Sequence, residues 1–244
     1  MIWSQDVYPD VAIGVGVLRE RGILARIAGW LAGCAYSRAD LIIALGDRMA
    51  ERLVVRGAKT ERVKVVHNWA DGYRVKPVAP ADNRFLRQHG LECKFVVGYS
   101  GNFGLSHDFS TILDAGRRLR GRSDIVFLII GEGKRYRQVQ KDAEGVNAIF
   151  LPFQPAEILS ESLSAASVHV VTLKKGLEGA LVPSKIYGVM AAGRPVIYVG
   201  PANSEVAQII REGDCGFVAD PGDVDRFVAA VDTLSRDPGL VIEM

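Results

Sequence analysis

The chain of 244 residues is 48% hydrophobic and 24% charged, with a mean hydropathy of +0.13, and this composition excludes disordered, collagen-like and disulfide-scaffold proteins. Thirty Lys and Arg residues against 28 Asp and Glu residues leave a net charge of +2, so the charge gives no sign of a nucleic-acid partner. The three cysteines (Cys34, Cys93 and Cys215) form no CxxC pair, which excludes a zinc ribbon and favours a reducing cytoplasm.

No apolar run reaches the roughly 18–20 residues of a transmembrane helix. Residues 11–36 predict one helix, because Leu24, Ile27, Ala28, Leu31 and Ala35 recur at helical spacing. Its broad apolar face fits two hypotheses: a helix packed into the core, or a helix at a membrane interface with arginines near the headgroups and a tryptophan at the boundary.

A strand at 41–45, a helix near 46–57 and a strand at 63–66 follow this helix. Residues 67–83 contain Gly72, Pro77 and Pro80 without periodicity and predict a linker between two domains. We therefore divide the chain into an N-terminal part (1–68), a linker (69–92) and a second domain (93–244).

The second domain has a regular alternation of strands and helices. Apolar runs at 95–99, 125–130, 148–151, 168–173, 195–199 and 215–219 alternate with helical stretches near 108–120, 135–143, 155–165, 184–192, 203–211 and 223–235. Runs that are apolar throughout are typical of parallel strands buried on both faces. The expected fold class is therefore α/β with a doubly wound parallel sheet, whose ligands bind beyond the carboxyl ends of the strands.

Three loops at those strand ends are candidates for binding. The first contains Gly101, Asn102 and Gly104 before His107, and the second contains Gly131 and Glu132. Glycines allow close approach of backbone to ligand, and amides at a helix start suit a diphosphate. Both loops are also compatible with plain tight turns, the first with Asp108 as a helix cap.

The third loop, after the fourth strand, carries Pro183, Ser184 and Lys185. Pro183 and Ser184 predict a helix start whose amides face the crevice. A lysine in the first turn opposes the favourable sense of the helix dipole. A structural role gains little from that cation, whereas binding of a diphosphate gains much. Lys185 is therefore predicted to be functional.

Two other motifs are weaker. Asp223 and Asp225 form a DxD pattern, but it precedes a helix and capping explains it, so no metal site is predicted. Gly14 and Gly16 form a GxG without the third glycine or a closely preceding strand, which disfavours a dinucleotide-dependent dehydrogenase.

Together these motifs resemble glycosyltransferase family 4, a group of retaining enzymes with the GT-B fold, and most of all its branch for capsule, O-antigen and colanic-acid polysaccharides. The resemblance rests on residues 101–104, 131–133 and 183–196, with further matches at 5–10, 67–69 and 215–223. It implies two Rossmann-like domains facing a cleft, the first for acceptor and the second for nucleotide-sugar. Residues 1–68 then correspond to only part of the acceptor domain, so we expect a fragment.

The resemblance also implies roles for site residues. Glu178 and Gly179 would face the hydroxyls of the donor sugar, and Phe153 and Gln154 would meet the base. His107 would contact phosphate or sugar, and Asp6 would orient the acceptor hydroxyl unless it caps the turn at Pro9 instead.

The sequence departs from the family pattern at two places. Alignment on Gly193 puts Ala180 and Gly188 where the family has two glutamates spaced by seven residues, and Glu178 is the acid nearest the first of them. The usual Arg/Lys pair aligns with Asn102 and His107. Neutralisation of a diphosphate would then depend on Lys185, helix amides and His107.

The implied reaction is transfer of a sugar from a nucleoside diphosphate sugar, with retention and without a metal or other cofactor, to a lipid-linked saccharide. We expect a cytoplasmic location, at the cytoplasmic face of the inner membrane if the chain makes peripheral membrane contact. Absent strands would expose a sheet edge and favour self-association. Two alternatives remain open: a non-catalytic nucleotide-sugar-binding fragment, and a nucleotide-sugar epimerase using Glu178, Glu132 and His107.

Overall fold

A computed structural model describes all residues 1–244 and contains two parallel sheets. The smaller sheet has the order β1-β2-β3. Its elements are β1 (Ile2–Trp3), α1 (Asp10–Gly14), α2 (Ile23–Arg38), β2 (Ile42–Ala44), α3 (Asp47–Val55) and β3 (Val63–Val65). The predicted helix 11–36 is thus two helices, because the chain turns at Gly16 (φ +79°) and begins α2 only after Gly22.

The larger sheet has six strands in the order β6-β5-β4-β7-β8-β9, all parallel. Its elements, with the short helix that precedes them, are α4 (Arg84–Gln88), β4 (Phe95–Ser100), α5 (Ser110–Arg118), β5 (Ile125–Ile130), α6 (Tyr136–Asp142), β6 (Ala148–Leu151), α7 (Leu159–Ser164), β7 (Val168–Thr172), α8 (Lys185–Ala191), β8 (Val196–Val199), α9 (Glu205–Gly213), β9 (Gly216–Ala219), α10 (Val224–Arg236) and α11 (Pro238–Glu243). This is the doubly wound order, and its direction reverses between β4 and β7. The α/β prediction is confirmed.

The predicted linker, residues 69–92, is only partly an irregular connection between the two sheets. Asn83 accepts a hydrogen bond from the amide of Leu86 at 3.2 Å and so caps α4. Phe85, Leu86 and Leu91 are buried against β4 and β5. The second half of residues 69–92 therefore packs onto the larger sheet.

One hydrophobic cluster joins the two sheets. Ile42, Met49 and Leu53 from the smaller sheet and α3 share it with Val171 and Ile186 from the larger one. A polar contact reinforces this junction: the buried Glu205 at the start of α9 accepts a hydrogen bond from the amide of Met49 at 2.8 Å. Since Met49 lies in the first turn of α3, a side chain of one sheet caps a helix of the other.

The apolar stripe of α2 does not pack into the core. Ile23, Leu24, Ile27, Trp30 and Leu31 are exposed, whereas Ala25 and Tyr36 on the opposite face are buried. The hypothesis that this stripe is core-packed is therefore wrong for this chain. No helix here combines the length and hydropathy required to cross a membrane.

We expect Glu205→Ala to lower the free energy of unfolding by about 1–3 kcal/mol, since it leaves the buried Met49 amide without an acceptor. Glu212→Ala, an exposed glutamate of the same helix, is the matched control. Urea unfolding measures both. Equal effects of the two variants would show that the cap across the junction contributes nothing.

Candidate functional site

A cavity of about 380 Å³ lies in the cleft between the two sheets, at the switch point of the larger one. Its wall is formed by the loop after β4, the loop that leads into α8, and the segments following β1 and β3. The lining residues are Gln5, Asp6, Asn68, Gly101, Asn102, Ser106, His107, Leu181, Val182, Pro183, Ser184 and Lys185. In an open α/β sheet this crevice is where ligands bind.

Lys185 is the cationic centre of the cavity. Its Nζ lies 2.6 Å from the Tyr99 hydroxyl and 3.9 Å from the centroid of the same ring. The amine also lies against Gly101, where an added Cβ would stand 2.9 Å from Nζ at a backbone φ of +151°. Only glycine suits that position. Burial of this amine lowers the pKa of Lys185 from its ordinary value to about 7.

Tyr99 orients the lysine. Its hydroxyl donates to the carbonyl of Asn102 at 2.9 Å, and this uses its only proton. The tyrosine oxygen can therefore only accept from Lys185, which leaves the other amine protons for a ligand. Sequence reasoning missed Tyr99, although a hydroxyl near the carboxyl end of a buried strand was a usable signal.

His107 is neutral in this environment. Its Nδ1 lies 2.9 Å from the Thr172 carbonyl, which can only accept, so Nδ1 carries the ring proton and Nε2 is left as an acceptor. Desolvation, and then the charge of Lys185, lower the pKa of His107 to about 3. The ring of His107 lines the cavity but carries no charge in the free chain, and its contact with phosphate or sugar remains a prediction.

Two cations that the sequence analysis overlooked lie close to this histidine. Arg135 donates to the His107 carbonyl at 2.8 Å, and the charges of Arg135 and Lys174 both lower the pKa of His107. Lys174 follows β7 and Arg135 follows β5, and this position after the carboxyl ends of two strands could have predicted that both lie near the cavity. Together with Lys185 they make this end of the sheet electropositive.

Asp6 faces the cavity from the smaller sheet. Its backbone forms an antiparallel bridge with Leu181, which places the carboxyl opposite the start of α8. Burial raises the pKa of the Asp6 carboxyl above its ordinary value. Pro183 and Ser184 stand at the start of α8 as predicted, but the Ser184 side chain caps no amide.

Glu178 and Gly179 lie outside the cavity. Glu178 lines a separate groove with Arg48 and Asn203. Gly179 is buried against the smaller sheet's α3, where an added Cβ would lie 2.6 Å from the Arg48 carbonyl. Neither residue is part of the cavity lining, and their contact with the donor sugar remains a prediction.

The second glycine loop supports the first rather than lining the cavity. An added Cβ on Gly131 would collide with the Gly101 carbonyl, and the Glu132 carbonyl accepts from the amide of Phe103 at 2.8 Å. Close packing against the neighbouring loop therefore requires glycine at position 131, and contact of Gly131 and Glu132 with a ligand remains a prediction. Gly104 lies in the first loop beside the cavity.

Phe153 and Gln154 also lie outside the lining. The Phe153 ring is exposed, and Gln154 donates to the carbonyl of Pro152 at 2.8 Å. No group of three or more His, Cys, Asp or Glu side chains is clustered as a metal site would require. Independence from metal remains a prediction.

Comparison with known proteins identifies the family to which the chain belongs. A family model described as "Glycosyl transferases group 1" matches residues 94–237, and the chain belongs to this family. It is 29% identical over 232 residues to the Pseudomonas aeruginosa protein named as glycosyltransferase WbjE, covering 94% of this chain and 58% of that protein. It is 27% identical over 235 residues to the Escherichia coli protein named as colanic acid biosynthesis glycosyl transferase WcaI, covering 93% and 58%.

Solved structures show the same fold. Anabaena HepE in complex with UDP-glucose superposes with a TM-score of 0.79 at 17% identity, covering 99% of this chain and 64% of that one. WaaG, a glycosyltransferase involved in lipopolysaccharide biosynthesis, gives 0.72 at 16% identity, covering 99% and 67%. The GT-B expectation is confirmed, and the chain spans somewhat under three fifths of the length of the two sequence relatives.

The pKa of Lys185 can be measured directly. In protein labelled with ¹³C at lysine Cε, the resonance that disappears in Lys185→Met should titrate near pH 7, because the amine is desolvated. A titration midpoint near 10.4, the ordinary value for lysine, would show that the amine is solvated and that the described contacts do not form.

Proposed function

We propose that the cleft cavity binds the diphosphate of a nucleoside diphosphate sugar. The observation that carries this proposal is a desolvated lysine at the start of a helix, facing a glycine loop at the switch point of a doubly wound sheet. Arg135 and Lys174 add positive charge near His107, in a chain that has Asn102 and His107 where the family has its Arg/Lys pair. Structures of the relative HepE are complexes with UDP and UDP-glucose, which supports the same ligand class here.

The proposed activity is transfer of the sugar, with retention, to a lipid-linked saccharide in cell-surface polysaccharide assembly at the cytoplasmic side of the membrane. The reaction requires stabilisation of the charge that develops on the departing diphosphate. Lys185 would supply a point charge, and the amides of Gly101 and Asn102 would supply dipoles. No cofactor takes part in this scheme.

On the other side of the cavity, Asp6 would orient the acceptor hydroxyl. Its raised pKa makes the carboxyl a better proton acceptor once ionised than an exposed aspartate. His107, neutral and with Nε2 free to accept, would bind a sugar hydroxyl instead of phosphate. The alternative that the chain is a non-catalytic binding fragment differs from the proposed activity only in turnover. Incubation of the chain with UDP-sugars and a lipid-linked acceptor distinguishes the two.

The binding role of Lys185 can be tested by calorimetry with UDP and with uridine. Lys185→Met should weaken UDP binding by about ten- to a hundredfold and leave uridine binding unchanged, because a charge-assisted hydrogen bond contributes about 1.5–3 kcal/mol. Lys141→Met, on the exposed surface of α6, is the matched control. Equal losses for UDP and uridine would contradict the assignment.

The same titrations give two further readouts. Above pH 7 the free amine is deprotonated, so binding of the anion must take up a proton and the affinity for UDP should fall between pH 7 and 8.5. Lys185→Met should remove this pH dependence of the UDP affinity.

Addition of EDTA should leave the UDP affinity unchanged, and a loss of affinity restored by magnesium would establish a metal requirement.

We also propose that the exposed stripe of α2 contacts a membrane surface. Five large apolar side chains on one face, flanked by Arg19, Arg21 and Arg26, are typical of a helix that lies at the interface of an anionic bilayer. The alternative occupant is a second copy of the chain.

Vesicle sedimentation distinguishes these occupants. The pair of changes Leu24→Ser and Leu31→Ser should reduce binding to phosphatidylglycerol vesicles by about tenfold or more, because apolar area is lost from the contact. Val55→Ser, at an equally exposed site on α3, should not. Dimers in solution that these changes abolish, without any vesicle binding, would assign the stripe to self-association.

A further inference from the structure

Two stacked tryptophans of the smaller sheet form an exposed surface. The rings of Trp3 in β1 and Trp69 after β3 are stacked, with centroids 6.0 Å apart and an interplanar angle of 22°. They are 48% and 66% exposed. Two indoles left open side by side are unusual, because large aromatic rings are ordinarily buried on folding.

This surface continues the wall of the cleft cavity. Trp3 and Gln5 are both exposed, while Ser4 between them is buried. Gln5 accepts a hydrogen bond from the Asn68 side chain at 3.3 Å, and both residues line the cavity. Trp3 lies two residues before Gln5 and Trp69 directly follows Asn68, so the indole pair adjoins the amide pair.

The surface lies on the opposite wall from the proposed diphosphate contacts. Lys185 and the Gly101 loop belong to the larger sheet, whereas Trp3, Trp69, Gln5 and Asn68 belong to the smaller sheet or follow it directly. A ligand on the indoles would reach into the cavity beside Asp6. The position suits the second substrate of a transfer reaction, held next to the first.

The chemistry of this wall fits a sugar ring. The face of an indole is apolar and carries a partial negative charge, which complements the C–H face of a pyranose. The uncharged amides of Gln5 and Asn68 offer both donors and acceptors, as hydroxyl groups require. We propose that the Trp3–Trp69 pair with Gln5 and Asn68 is the subsite for the acceptor saccharide, an inference that rests on the proposed glycosyl transfer.

Tryptophan fluorescence tests this directly, because the chain contains only Trp3, Trp30 and Trp69. The probes are methyl glycosides of glucose, galactose, mannose, rhamnose and N-acetylglucosamine. At least one should shift the emission of the wild-type chain and of Trp30→Phe, whose indole is equally exposed (68%) but lies on α2. Measured by calorimetry, because these variants lack the reporting indoles, paired Trp3→Ala and Trp69→Ala changes should weaken that binding about tenfold or more, and phenylalanine at both positions should restore part of it.

Calorimetry with UDP on the same variants separates this inference from the proposed function. UDP affinity should stay within about twofold of wild type, since the diphosphate contacts lie on the other sheet. UDP binding without any glycoside effect on the tryptophans would overturn the subsite alone. Glycoside binding without UDP binding would overturn the proposed donor site alone. Undiminished glycoside binding by the doubly alanine-substituted chain, or displacement of glycoside by uridine, would also refute the subsite.

Discussion

The site depends on one constraint: a lysine amine held out of water between a tyrosine hydroxyl and a glycine backbone. Lys185 can occupy this place only because Gly101 has no side chain and because the proton of Tyr99 is already committed to the Asn102 carbonyl. Burial lowers the pKa of this amine to about 7, so it is only partly charged at neutral pH in the free protein. A bound anion favours the protonated amine, so the full electrostatic attraction between Lys185 and the anion forms only in the bound state.

The second constraint is the junction between the sheets. A shared hydrophobic cluster and the Glu205 cap on α3 fix the smaller sheet against the larger one. As a result, the bridge between Asp6 and Leu181 brings an acidic side chain across the cavity from a basic one. The relative position of the two cavity walls is thus set by packing outside the cavity, and a loosened junction would misalign them.

Much of the larger sheet could be predicted from the sequence, because strands buried on both faces are continuous apolar runs such as Ile125–Ile130. Lys185 was also predictable, since a cation at a helix start contradicts the dipole. The position of Glu178 outside the cavity and the contact of Tyr99 with Lys185 were not predictable, because both depend on segments distant in the chain. The stripe of α2 shows the same limit: periodicity predicts which face is apolar but not what covers it.

A crystal structure of the chain with UDP would show whether Lys185 binds the diphosphate. A diphosphate oxygen should lie within about 3 Å of the Lys185 amine, and further oxygens should accept hydrogen bonds from the amides of the Gly101 loop. Tyr99 should still donate its hydrogen bond to Asn102. A diphosphate bound elsewhere, for example in the groove that Glu178 lines, with Lys185 still held only by Tyr99, would contradict it.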